Sequence, residues 1–316
     1  MQRSATMFCL ALSACAASAQ TSEVYDGLCD ASAAVALDAR HFAVAGDEDN
    51  TLRIYERGQP EARATLALQD FLRSGKDEAD LEAATRIGNR IYWMGSLSRD
   101  GKGRPAPQRD RLFATDIDAS GSPPALRPVG TGPVRLLDAL VASQAGRAWQ
   151  LAEAAGKAPE ADGGLNVEGL THTDDGALLI GFRNPLRAGK ALVVPLRNPA
   201  QAIAGQAPVF GDALALDLAG RGVRAMTRVA DGYLVVGGPT ADDGSFALFH
   251  WRGGNDAPQR LAQPALGTLR PEALFGWPGT AQFQLLSDDG GIERHGKACK
   301  KLPAAQQGFR SLSFTR

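Results

Sequence analysis

One pattern returns along this chain, and a chain built on such a return folds as an array of like units. Asp80-Leu81-Glu82-Ala83-Ala84 is followed by "TRIGNRIYWMGS". Asn166-Val167-Glu168-Gly169-Leu170 is followed by "THTDDGALLIGF", and Gly222-Val223-Arg224-Ala225-Met226 by "TRVADGYLVVGG". Arg270-Pro271-Glu272-Ala273-Leu274 precedes "FGWPGTAQFQLLSDD". A fainter copy, "DASAAVALDARHFAVAGDEDN", puts Ser32 in the Glu position. Each copy reads as a short strand, a turn, and a second strand ending in Gly or Ser.

The marked positions are 50, 86, 56 and 48 residues apart. A unit of about 50 residues suits a four-stranded propeller blade. Third strands follow in place: "TLRIYE", "RLFATDI", "ALVVPL" and "FALFHW". The expected fold is therefore an all-β propeller of five blades, with six as the alternative. The long interval holds an insertion near 134–157. There Leu137, Leu140, Val141, Ala148, Leu151 and Ala155 recur at roughly helical spacing. The expectation is one amphipathic helix or two short ones on a propeller face, with a lid over the funnel as the functional alternative.

In a propeller the first strand of each blade lines the central channel, so a residue type recurring there forms a ring. That ring is Ser32, Glu82, Glu168, Arg224 and Glu272, with a formal charge of minus two. Turns after the second strands add Asp47, Glu48, Asp49, Arg99, Arg183, Asn184, Asp288 and Asp289. Like charges held close cost energy unless something neutralises them. The neutralising group is an arginine (Arg183 or Arg224), a bound cation such as Ca2+, or a proton. The alternative to a binding site is a buried plug in which Arg and Glu satisfy one another.

The first 19 residues read as a signal peptide, with Arg3, an apolar run from Met7, and Ala17-Ser18-Ala19 before the mature domain 20–316. Leu12-Ser13-Ala14-Cys15 competes as a lipobox, which would end the signal at residue 14 and anchor a lipid on Cys15. Either reading exports the protein, to periplasm or beyond, and no apolar run is long enough to span a bilayer. Export leaves Cys29 and Cys299 as a pair that an oxidising compartment favours joining; two buried thiols are the alternative. A bridge would lock "SEVYDGLC" beside the last strand and close the ring.

Net charge is −1, so no basic face for nucleic acid is implied. Catalytic signals are sparse. There is no G-x-S-x-G elbow, phosphate loop or H-E-x-x-H, and His41, His172, His250 and His295 are dispersed. Asp116 to Gly121 opens like a calcium loop but has Arg127 where the closing Glu belongs, so a polar hairpin turn is expected. Tyr92, Trp93, Tyr233, Phe249 and Trp251 fall in strands and read as packing between blades.

The strings "DASA", "AGDEDNTLRIYE", "LNVEGL", "LLIGFRNPL", "GRGVR", "RPEAL" and "LLSDDG" together resemble a bacterial family known as domain of unknown function 3616. That resemblance carries no reaction with it. Glu168-Gly169-Leu170 is also similar to first-strand motifs of phytase-like (esterase-like) propellers and, more distantly, of calcium-dependent lactonase propellers. The latter likeness implies a divalent metal on Glu82, Glu168 and Glu272; Ser32 and Arg224 depart from it. The function expected is a binding module whose acidic funnel takes a small ligand, a peptide or a divalent cation. A calcium-dependent hydrolase of phosphate or carboxylic esters (lactones included) and a structural envelope protein are the rivals.

Overall fold

The fold follows from five sets of short strands, each too small to bury its own faces. A computed structural model describes residues 20–241 and 243–316. The signal and lipobox readings lie outside the described residues. Strand β1 (Thr21–Asp26) stands apart from the first blade. Blade one is β2 (Ala33–Ala36), β3 (His41–Ala45), β4 (Thr51–Glu56) and β5 (Ala62–Ala67). Blade two is β6 (Leu81–Ile87), β7 (Arg90–Gly95), β8 (Leu112–Asp118) and β9 (Ala125–Pro128). Blade three is β10 (Asn166–His172), β11 (Leu178–Arg187), β12 (Lys190–Leu196) and β13 (Leu214–Leu216). Blade four is β14 (Gly222–Val229), β15 (Gly232–Gly238), β16 (Ala247–Trp251) and β17 (Gln259–Arg260). Blade five contains β18 (Pro271–Gly276) and β19 (Gln282–Ser287); a hairpin, β20 (Glu293–Arg294) and β21 (Lys297–Ala298), interrupts it before β22 (Gly308–Thr315).

All pairings within the blades are antiparallel. Blade five is completed from the other end of the chain: its order is β1-β22-β19-β18, with Thr21 opposite Ser313 and Asp26 opposite Gly308. The Cys29–Cys299 disulfide fastens that closure. The expected five blades, and the expected partner for the N-terminal strand, are therefore present.

Side chains between neighbouring blades form five apolar clusters. Tyr25, Phe42, Tyr55, Phe275, Trp277 and Phe309 join blades five and one. Trp93 and Phe113 pack between blades one and two, and Tyr233 and Trp251, tilted at 33° with centroids 5.0 Å apart, pack between three and four. Full burial of each such ring contributes about 1.5–3 kcal/mol. The strand aromatics thus serve packing, and Trp93 donates its indole N–H to Thr115.

The insertion forms three short helices, Leu137–Ala142, Gln144–Ala148 and Leu151–Ala154, rather than one or two. Ser143 ends the first and caps the second, accepting from the Gly146 N–H; Gln150, at φ 54°, breaks the second from the third. These breaks shift the buried face to Leu136, Leu140, Ala145, Leu151 and Ala154, and leave Ala148 exposed. A continuous 3.6-residue period does not survive two caps.

Candidate functional site

The innermost strands β2, β6, β10, β14 and β18 surround the axis and carry the repeated motif. In blades two to five the marked residue is the extra residue of a β-bulge. Leu81 and Ala83 face consecutive residues of β7 with Glu82 between them. Glu168, Arg224 and Glu272 are extra in the same way. A bulge re-aims the side chain it frees, and here four are aimed into the channel.

The channel is layered by the period of the strand. Two residues before the ring stand Asp30, Asp80, Asn166, Gly222 and Arg270. Two residues after it come Ala34, Ala84, Leu170, Met226 and Leu274. This apolar layer narrows the channel to about 10 Å³ of free space, scarcely one water. We call it the waist. On one side lies a cavity of about 540 Å³, the acidic mouth. Its walls carry the carboxylates of Asp30, Asp47, Glu82, Glu160, Glu168, Asp243, Glu272 and Asp288 against Arg183, Arg224, Arg270 and Lys300.

The mouth is divided. On the side of blades three to five, the ring charges are matched. Arg183 Nη1 lies 3.0 Å from Glu168 Oε1, and its Nη2 lies 3.1 Å from Glu160. Arg224 Nε is 2.7 Å from Glu168 Oε2, a contact that is ionic rather than a directed hydrogen bond. Arg224 Nη2 also holds Glu272. Glu168 and Arg224 are 3% and 4% exposed, and Asn166 donates a further hydrogen bond to Glu168.

On the side of blades one and two, charges are not matched. Glu82 is 9% exposed and, among the described residues, has no hydrogen-bond or ion-pair partner. Oxygens of Asp47, Asp80 and Glu82 lie within 4.8 Å of one another. Asp47 Oδ1 is buried without a partner, whereas Asp80 is held by Ser96 and by Arg109 at 2.9 Å. Burial, then the neighbouring carboxylates, push the Glu82 and Asp47 carboxyls well above the usual range. Asp80 is raised too, burial outweighing Arg109 and Ser96. Asp30, buried against Asp288, is pushed up to about 10. A Cβ on Gly290 would fall 1.7 Å from an Asp30 oxygen, so only glycine allows that approach.

These shifts fix a sign. The folded chain keeps protons that the unfolded carboxyls release above about pH 4. Stability is then fully present below that pH and falls as pH rises toward the folded values. Without metal, the urea midpoint is expected to be higher at about pH 5 than at about pH 9, and Glu82→Gln to flatten the slope; a flat wild-type profile rejects this.

The remaining expected residues are dispersed. Ser32 sits in the waist with its hydroxyl buried and unpartnered. Asp49 pairs with Arg53, Glu48 with Lys300, and Asp289 with Arg310. Asn184 donates to the Pro159 and Ala161 carbonyls, and Arg99 to those of Ala155 and Gly103. None of Asp49, Asn184, Arg99 or Asp289 lines the acidic cavity. Asp116 and Asp118 are paired with Arg90 and Arg127 across a hairpin. His172 accepts or donates to Thr85 at 3.0 Å beyond the waist. No residue of 134–157 lines the mouth; Glu160, just after it, does. Asp30, Asp80, Arg270 and Lys300 were not anticipated, although the first three precede ring positions by two residues, the strand's own period.

The chain is thus a five-bladed β-propeller with a polar central mouth. The profile of a family described as "Protein of unknown function (DUF3616)" matches residues 149–270. No curated protein matches the chain in sequence. Among solved structures it is similar to the glutaminyl cyclase of Myxococcus xanthus, at 12% identity and TM-score 0.47, covering 95% of this chain and 98% of that one. It is similar to the PQQ-bound aldose sugar dehydrogenase of Streptomyces coelicolor, at 12% and 0.45, covering 94% and 98%. It is also similar to a GH43_1 enzyme of Xanthomonas citri, at 11% and 0.49, covering 92% and 90%.

Proposed function

We propose that the protein is a binding module whose acidic mouth takes a divalent cation of the hard, oxygen-loving kind, Ca2+ first among them. The observation that carries this is Glu82, a buried and unpartnered carboxylate converging with Asp47 and Asp80. A calcium ion lies about 2.4 Å from its oxygens, so oxygens up to about 4.8 Å apart can share one ion. Such an ion would replace the protons that the raised carboxyls hold, and binding would release them. Glu168 and Glu272 are already balanced by arginine and would act as wall rather than ligand. An ester-hydrolase reading would need one of the wall carboxylates to act as base on a metal-held water, since none of the four histidines lines this mouth. The disulfide fits an exported, oxidising setting. Among the described residues no helix is long and apolar enough to cross a membrane.

The test is a calorimetric titration with calcium, paired with melts in EDTA and in calcium. At about 100 times Kd the stabilisation is about 2.7 kcal/mol. Glu82→Gln has two effects: it removes the cost of ionising Glu82 as pH rises in the metal-free protein, and it abolishes the calcium shift. Identical melts in EDTA and about 5 mM calcium would overturn the reading.

A further inference from the structure

Four residues past the ring, the same inner strands carry Ala36, Arg86, His172, Arg228 and Gly276. Strand rise places this layer roughly 13 Å from the ring, on the far side of the waist. All five line a second cavity, of about 330 Å³. Thr85 and Thr227 add hydroxyls, and Val35, Leu274, Phe275 and Pro278 supply an apolar wall. Among the described residues no carboxylate lines it.

Arg86 here has no ion-pair partner among the described residues, and Arg228 is paired only with an exposed acid. Arg86 Nε donates to the Gly88 carbonyl at 2.7 Å, and its Nη1 to those of Ala36 and Leu37 at 3.1 and 2.6 Å. These bonds fix the guanidinium without cancelling its charge, and Nη2 is left over. Among the described residues Arg228 has one ion-pair partner, Asp174, whose side chain is 88% exposed and gives a water-screened pair. His172 is oriented by Thr85, itself 7% exposed, through Nδ1. Ala36 and Gly276 complete the ring with almost no side chain, which leaves the space open.

We propose that this basic mouth binds a small organic carboxylate with a compact apolar body. The carboxylate would sit between Arg86 Nη2, Arg228 and His172, as a charge-assisted acceptor. Its apolar part would lie on Leu274, Phe275 and Val35. A pocket of mostly apolar lining with a few convergent polar groups is the usual form of a small-molecule site. The waist separates this site from the acidic mouth, so it stands independently of the cation reading.

Benzoate is the probe, with benzamide as its uncharged counterpart. The full mature protein is titrated by NMR, reading the His172 ring signals assigned with His172→Gln. Benzoate is expected to saturate below about 10 mM and to raise the His172 pKa, while benzamide does neither. Arg228→Gln, whose only acid partner is exposed, weakens benzoate by about tenfold. Glu82→Gln, across the waist, leaves it unchanged. Equal binding of benzamide, indifference to Arg228→Gln, or no saturation at about 10 mM overturns the proposal. Melts of each variant confirm that it is folded, so a loss in Arg228→Gln is a loss of the site.

Discussion

Arg224→Met is expected to destabilise the protein by about 3–5 kcal/mol, as breaking one side of a buried ion network does. Arg224 touches both Glu168 and Glu272, and all three are nine-tenths buried. Removing it leaves Glu272 with no arginine and Glu168 with Arg183 alone. The penalty is the uncompensated charge, not the lost contact. It follows that Glu272→Gln on the Arg224→Met background recovers part of the loss. The urea midpoints of the two single variants and the double variant close a cycle that measures this coupling. Additive losses would mean that the wall charges are solvated independently. Raised salt is expected to change little, because buried pairs are poorly screened.

The second large effect belongs to closure. Replacing Cys29 and Cys299 together by Ser is expected to cost about 2–5 kcal/mol. The bridge spans 270 residues, nearly the whole ring, so it limits the unfolded chain as strongly as one bridge can. It also bears on the site. Cys29 precedes Asp30, and Cys299 precedes Lys300, both in the acidic wall. The Asp289 N–H donates to the Cys29 carbonyl. Reduction should therefore loosen the Asp30–Asp288 contact before it opens the blades. Urea titrations with and without reductant measure the first effect, and identical midpoints would refute it.

The repeat made the architecture legible because it preserves register. Four marked residues share a bulge, and five marked strands share a place at the axis. The acidic mouth was only half legible. Glu82, Glu168, Arg224 and Glu272 follow from the repeat itself. That Glu168 is neutralised and Glu82 is not depends on Arg183, which enters from a different strand, and on the bulge that aims each carboxylate. Neither leaves a mark in composition. Asp49 and Asp289 show the reverse error: acidic turn residues near the axis found arginines in their own blades, Arg53 four residues on and Arg310 on β22. The basic layer was readable in principle, since Arg86, His172 and Arg228 each lie four residues after a marked position.

The last blade has a consequence for how the ring closes. Its outer strand, β1, precedes the other four blades in the sequence, and its neighbour β22 follows them. Until β22 is in place, β1 has no partner and β19 presents an unpaired edge. Four blades are built from contiguous sequence, but the ring cannot shut before the eight-residue β22 pairs with β1. An unpaired edge is a template for another chain. The folding protein is thus most open to a neighbouring copy, or to a chaperone, in the interval before β22 pairs with β1 and β19.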